Sequence, residues 1–328
     1  MTDTPEQLSE AFDAGAARRS ERREFFRTAL GATAVAAAGA AALGWEAMAT
    51  AQTVTDPDIF NFALNLEYLE ANFFSWAAYG TGISSDMVSG TGTLGSVSGG
   101  KQVPFTDPAV KAYAREIAQD EINHVNFLRT VLGSSAVAQP SIDLSSGATS
   151  AFSQLAQAAK IVGAGVGFDA FANDQNFLLA AFMIEDVVAS TYKGLVPLIS
   201  TTVYAQAASG ILATEAYHAA TIRATLYAKG ATTASYRTSA DAISDARDAL
   251  DGSTDLDQGI SPVTPSDGSG QQSNVTPTDT NGLIFSRSYG EALNILFLSS
   301  ASSKAATKGG FFPNGVNGTL NASTGTAS

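Results

Sequence analysis

Apolar residues recur at alternating steps of three and four in four long stretches of the chain, the spacing that turns one helix face toward a common axis. The seams read Ala63, Glu67, Glu70, Phe74, Ala77; then Val110, Ala114, Ile117, Glu121, His124, Leu128, Val131; then Leu178, Ala181, Glu185, Val188, Tyr192, Leu195; and finally Tyr204, Ala208, Ile211, Glu215, His218, Ile222, Thr225. Start and stop signals frame them. Asp56-Pro57 and Asp107-Pro108 each set a capping carboxylate before a proline in the first turn, and Gly80, Gly133 and Gly230 stand where helices end. Helices are therefore predicted over 56–79, 107–132, 174–193 and 202–229. Residues 81–106, rich in Gly, Ser and Thr and without helical period, predict a long loop or a small hairpin. The second connection, 134–173, reads as a long crossover with one short helical stretch near 152–162, and the third, around Pro197, is short. Two helix pairs joined by a crossover give an all-α four-helix bundle.

Beyond Gly230 the pattern changes. Residues 236–250 predict another helix, 251–282 are dense in Asp, Ser, Gly, Pro and Thr and read as an exposed linker, and 286–298 predict a helix able to pack back through Leu293, Leu296 and Phe297. The tail 309–315 is aperiodic, yet Phe311 and Phe312 suggest docking. The expected division is a bundle over 52–232 and a C-terminal extension with extra helices, packed on the bundle, over 233–328. The first 51 residues read as a leader. Ser20 to Arg27, with Arg22-Arg23 and Phe25-Phe26, resembles the twin-arginine export signal; an Ala/Gly-rich run from Leu30 to Leu43 and Ala-x-Ala sites at 47–49 or 49–51 follow. That run is too short and too weakly apolar to serve as a stable membrane anchor. The expectation is recognition by the twin-arginine machinery, which carries folded proteins, and a periplasmic or extracellular destination.

Composition narrows the chemistry. The chain has no cysteine, which removes disulfides, thiolate metal sites, iron–sulfur clusters and cysteine nucleophiles together. Its net charge of −13 argues against a nucleic-acid partner. Any metal must be held by oxygen and nitrogen.

The chain has 2 histidines, and each follows a glutamate by three residues: Glu121-Ile122-Asn123-His124 and Glu215-Ala216-Tyr217-His218. Residues at i and i+3 share a helix face, so each motif offers a carboxylate beside an imidazole. Exposed pairs of this kind are ordinary surface salt bridges, but these interrupt apolar seams. Five glutamates lie on the seams, and isolated buried carboxylates cost several kcal/mol each unless cations or hydrogen bonds compensate them. Two divalent ions among four carboxylates and two neutral imidazoles make a neutral set. The expected ligands are Glu67, Glu121, His124, Glu185, Glu215 and His218. Glu67 is preferred over Glu70 on the first helix because Phe74 follows it by seven, as Tyr192 follows Glu185; Glu70 is the alternative ligand or a carboxylate behind the first.

Other motifs carry less. Gly90-Thr91-Gly92-Thr93-Leu94-Gly95 spells G-x-G-x-x-G, but no strand leads into it and no helix follows. Asn274, Asn317 and Asn321 head chance sequons, and Asp251, Asp255 and Asp257 lack calcium-loop spacing and read as a solvated linker. Tyr68, Tyr113 and Tyr217 flank the seams and read as core aromatics.

The strings Leu64-Asn65-Leu66-Glu67-Tyr68-Leu69-Glu70-Ala71, Asp120-Glu121-Ile122-Asn123-His124, Phe182-Met183-Ile184-Glu185-Asp186 and Gly310-Phe311-Phe312-Pro313-Asn314-Gly315 resemble the exported ferritin-like proteins called desiccation-related proteins. The resemblance implies a ferritin-like fold with a dinuclear site over essentially the whole chain after the leader. The wider superfamily includes manganese catalases, rubrerythrins, ferritins and di-iron oxidases. Oxygen and nitrogen donors without thiolate suit manganese or iron. The leading expectation is a manganese-catalase-like or peroxidase-like oxidoreductase acting on peroxide or another small oxidant in stress protection. The alternative is a non-catalytic envelope protein that protects during drying or sequesters metal. A homo-oligomer is compatible with either.

Overall fold

The structure is a computed structural model that describes residues 54–265, 268 and 270–325. The leader assigned to 1–51 lies outside the described residues. Four long helices carry the seams: α1 (Asp56–Tyr79), α2 (Pro108–Leu132), α4 (Asp174–Leu195) and α5 (Thr202–Lys229). The crossover adds a short α3 (Ala151–Ala158), and the extension adds α6 (Ser235–Asp251) and α7 (Tyr289–Phe297). Helix α1 pairs with α2 and α4 with α5, and α6 and α7 pack on α4. None of the described helices is long and apolar enough to cross a membrane.

The caps follow the sequence signals with one correction. Helix α1 is capped by Thr55, not Asp56: Asp58 N donates to the Thr55 hydroxyl (3.4 Å) while Thr55 N donates to the Asp58 carboxylate (2.9 Å), a reciprocal capping box. Asp56 is left to accept from the backbone N–H groups of Ser200 (2.7 Å) and Thr201 (3.0 Å), which fastens the α4–α5 link to the start of α1. Gly80 ends α1 in the left-handed region at φ 75°, where a β-carbon would be strained. Helix α2 is capped by Asp107 as expected.

The 81–106 segment is not a hairpin. Its short strand β1 (Val97–Gly99) pairs in parallel with β2 (Ile142–Leu144) of the crossover, Val97 opposite Ile142 and Gly99 opposite Leu144. A parallel pair requires a long connection, and α2 supplies it. The glycines of the G-x-G-x-x-G string serve this packing: a β-carbon on Gly90 would fall 2.3 Å from Ala136 O, and one on Gly95 would fall 2.1 Å from Ser141 N. They permit backbone contact, not dinucleotide binding.

Helices α1 and α4 are buried on nearly all sides, whereas α2 and α5 keep an outer face in solvent. Phe73 of α1 stacks on Phe177 of α4 (5.7 Å) and meets Phe152 of α3 at 5.4 Å, and Phe152 in turn contacts Phe311 edge-on at 4.8 Å. Phe311 and Phe312 are fully buried, so the aromatic tail does dock. Asn317 fastens it. Its backbone N–H donates to Asn65 Oδ1 (3.0 Å) and its carbonyl accepts from Asn65 Nδ2 (2.8 Å), while its side chain bonds Thr93 and Ala138.

The largest departure concerns 251–282. The segment is exposed over much of its length but is not a free linker: Asp251, Asp257 and Ile260 are buried, and three buried arginines gather it onto the bundle. Arg223 of α5 donates to Asp186 (2.8 Å) and to the carbonyls of Val275, Gln258, Gly259 and Asn274. Arg247 of α6 binds Asp186 (3.0 Å) and Asp257, and Arg287 binds Asp251 (2.7 Å), Asp257 and the Ser190 hydroxyl (2.7 Å). Three guanidinium groups against three carboxylates leave the cluster neutral. Polar composition alone suggested solvent, because the arginines that recruit these aspartates and carbonyls lie on other elements.

Candidate metal centre

The two Glu-x-x-His motifs sit on α2 and α5 at the same level of the bundle, facing Glu67 of α1 and Glu185 of α4. Two overlapping sets of donors result. Glu67, Glu121, His124 and Glu215 each present one donor atom within 4.8 Å of the others, and so do Glu121, Glu185, Glu215 and His218. Glu121 and Glu215 belong to both sets. Each could bridge two ions about a common axis, with Glu67 and His124 on one side and Glu185 and His218 on the other.

Both imidazoles point Nδ1 into the cluster. His124 Nδ1 lies 3.2 Å from Glu67, 3.3 Å from Glu121 and 3.0 Å from Glu215; His218 Nδ1 lies 2.9 Å from Glu121 and 3.9 Å from Glu215. The ring centroids are 6.2 Å apart. Around the outside of His218, Nε2 lies 3.2 Å from the half-exposed Asp120 carboxylate, an arrangement that fixes the ring and leaves Nδ1 as the inward donor. Tyr192 of α4 donates its phenolic hydrogen to Glu67 Oε1. Sequence reasoning used Tyr192 only as a spacing marker and did not single out Asp120. The residue seven after Glu185 on α4 reaches across the bundle to Glu67 of α1.

Glu67, Glu70, Glu121, Glu185 and Glu215 are all 0 % exposed, whereas His124 and His218 retain 9 % and 5 %. The solvent side of the cluster is therefore the α2–α5 face. Tyr217 stands out on α5 at 74 % exposure, not in the core as expected. Tyr68 is buried, its hydroxyl bonded to the Met87 carbonyl (3.0 Å) and to Arg129 (2.6 Å), and Tyr113 is partly exposed.

Among the described residues, buried carboxylate oxygens short of hydrogen-bond donors concentrate here: both oxygens of Glu185 and of Glu70 have no partner, and Glu67 Oε2, Glu121 Oε1 and the oxygens of Glu215 face only an imidazole Nδ1. Such atoms cost roughly 1–3 kcal/mol each when left unpaired, and more when charged. Burial pushes the carboxyl groups of Glu67, Glu185 and Glu70 well above their ordinary range and raises Glu215. Burial also acts on Glu121, but both imidazoles outweigh it and hold that carboxyl well below its usual range. Burial pulls His218 down, yet Glu121, Glu185 and Glu215 raise it to about 11, and His124 is raised further by Glu67, Glu121 and Glu215. Without cations the cluster holds protons on its imidazoles. Divalent ions fit the donor set: hard oxygens, two imidazoles and a shape that converges from four helices. Glu70 falls in neither donor set, although it is fully buried and feels the charges of Glu215, Glu121, Glu185 and Glu67.

Comparison with known proteins agrees with this architecture. The ferritin-like domain family matches residues 55–228, more than half of the chain and all four bundle helices. The chain belongs to the ferritin-like family. This ferritin-like protein is 32 % identical to a desiccation-related protein of Craterostigma plantagineum over 176 residues, 53 % of this chain and 53 % of the relative, so the match spans about half of that relative's length. It is 29 % identical to a ferritin-like catalase of Nesocodon mauritianus over 274 residues, 81 % of this chain and 84 % of the relative. The desiccation-related group that the sequence motifs resemble is thus the group to which this ferritin-like protein is related. No solved structure matches it.

Proposed function

We propose that the protein is an exported metalloprotein whose two divalent ions, manganese or iron, are held by Glu67, Glu121, His124, Glu185, Glu215 and His218 and act on hydrogen peroxide. The observation that carries this reading is the overlap of two four-residue donor sets in shared Glu121 and Glu215, lined by unpartnered buried oxygens. Likeness to a ferritin-like catalase over most of both chains supports peroxide as the oxidant. When bound, a pair of such ions supplies one-electron redox steps and a Lewis-acid surface for a small oxygen compound. The protein's part is separable. Glu121 and Glu215 neutralise both positions at once, Asp120 orients His218, and Tyr192 holds one oxygen of Glu67 so that the other turns inward. The apolar seams exclude bulk water and larger reductants, and the α2–α5 face is the route for a small neutral molecule. Twin-arginine export to the periplasm or exterior places loading in the cytoplasm before transport.

The test is elemental analysis of protein purified from its native envelope, combined with oxygen evolution from peroxide. Two ions per chain with turnover that disappears in His124→Ala/His218→Ala is the expected result. Metal-loaded protein that neither turns over peroxide nor changes metal oxidation state on exposure to it would end the reading. The desiccation-related relative favours a second reading, a non-catalytic envelope protein that protects during drying or sequesters metal. Equal survival of dried cells carrying wild type or the double-histidine variant would favour it.

A further inference from the structure

A separate cavity of about 260 Å³ opens between α4, α5 and the wrapped extension. On α5 it is walled by Leu212, Ala213, Ala216 and Ala220, and the facing wall comes from the extension through Leu256, Val275, Pro277, Ile284 and Phe285. At about 100° per residue, Ala216 and Asp186 lie roughly a quarter-turn around their helices from Glu215 and Glu185, so the cavity and the metal centre look out of different faces of the same two helices.

The walls define the ligand. Arg287, Asp257 and Asp186 reach the cavity, but each is buried and bound to opposite charge, so no net charge faces an occupant. Asp186 Oδ2 is taken by Arg223 and Arg247, while Oδ1 is buried without a hydrogen-bond partner. The frame is rigid, because Arg223 ties the carbonyls of Gln258 and Val275 to α5 and Arg287 ties Asp257 to Asp251. A rigid apolar cavity of about 150 Å³ holds one benzene ring; this one has room for two fused rings.

We propose that this cavity is a binding site for a small, uncharged, largely apolar molecule of two-ring size that carries one hydrogen-bond donor for Asp186. The site does not depend on the peroxide reading. The probe is indole, titrated calorimetrically into the purified full-length protein with its metal content determined beforehand. Expected are one saturable site, at least tenfold weaker binding in Ala216→Phe, which fills the cavity, and in Ala220→Phe, which narrows its mouth, with melting temperature and metal content unchanged. Indole-3-acetate, which adds a carboxylate, should bind at least tenfold more weakly than indole, and 1-methylindole, which lacks the donor, severalfold more weakly. No saturable binding of indole to wild type, or wild-type affinity in both filled variants, would overturn the site. Equal affinity for 1-methylindole would overturn the role of Asp186, and equal affinity for indole-3-acetate the neutral character of the walls.

Discussion

Two neighbouring residues of α4, Glu185 and Asp186, enter two buried charge clusters of opposite character. Asp186 joins Asp251, Asp257, Arg223, Arg247 and Arg287, where each carboxylate meets a guanidinium and the surplus donors of Arg223 find backbone carbonyls. Glu185 joins a set with carboxylates and imidazoles but no permanent cation, and its oxygens lack partners. Burial is similar in the two places; what differs is where neutrality comes from. The arginine cluster closes on itself and holds the extension to the bundle. The glutamate cluster is complete only with protons or metal ions, which is what makes it a candidate for chemistry.

Breaking the glutamate cluster at a shared residue should have the largest effect. Glu121→Ala or Glu215→Ala should abolish binding of both ions, whereas Glu185→Ala should retain about half the metal, as read by elemental analysis of folded protein. Equal stoichiometry in all three variants would remove the bridging assignment. In the other cluster, Asp257→Ala removes the carboxylate that two buried guanidinium groups share, leaving Arg247 only Asp186 and Arg287 only Asp251, and should destabilise the fold by about 3–5 kcal/mol in chemical denaturation, with metal stoichiometry retained in the folded fraction. A third comparison sits within α1. Glu67→Ala should lose more metal than Glu70→Ala, because Glu67 alone of the two belongs to a donor set and is held by Tyr192.

The pH response sharpens the contrast with the smallest effect. In metal-free protein His218 is raised to about 11 and His124 is raised as well, so both imidazoles carry protons at neutral pH. A metal must displace those protons, so uptake releases them and apparent affinity rises with pH below that range. Calorimetry in buffers of differing ionisation enthalpy would measure this release; uptake without it would contradict the protonation of the metal-free imidazoles.

Much of the fold was legible because its signals are local. The 3.6-residue seams, Asp107 and the terminal glycines mark helices that the structure carries within a residue or two, and two histidines at matching offsets from glutamate pointed to the cluster. What escaped reading is non-local. Arg223 and Arg247 sit at unremarkable helical positions, and their partners are aspartates and carbonyls from a segment without period, so nothing in either stretch announces the other. Asp120 and Tyr192 escaped for a related reason. Each acts on a ligand borne by a different helix, and that relation exists only once the helices pack. Asp56 was misread as a cap because Thr55 and Asp58 form a better one, which leaves it free to bind Ser200 and Thr201.

The hold of Asn317 on Asn65 has a consequence in time. These residues are 252 positions apart, and Asp143 of β2 donates its N–H to the Phe311 carbonyl at 3.0 Å from a distance that is also long in sequence. Contacts of such sequence separation form slowly and late. During synthesis the face of α1 around Asn65 must wait for a partner made 252 positions later. The segment around Phe311 and Asn317 therefore acts as a late seal: until it docks, the face of α1 around Asn65 and the ring of Phe152 lack their cover, and apolar surface left open in this way is what makes a partly folded chain prone to association.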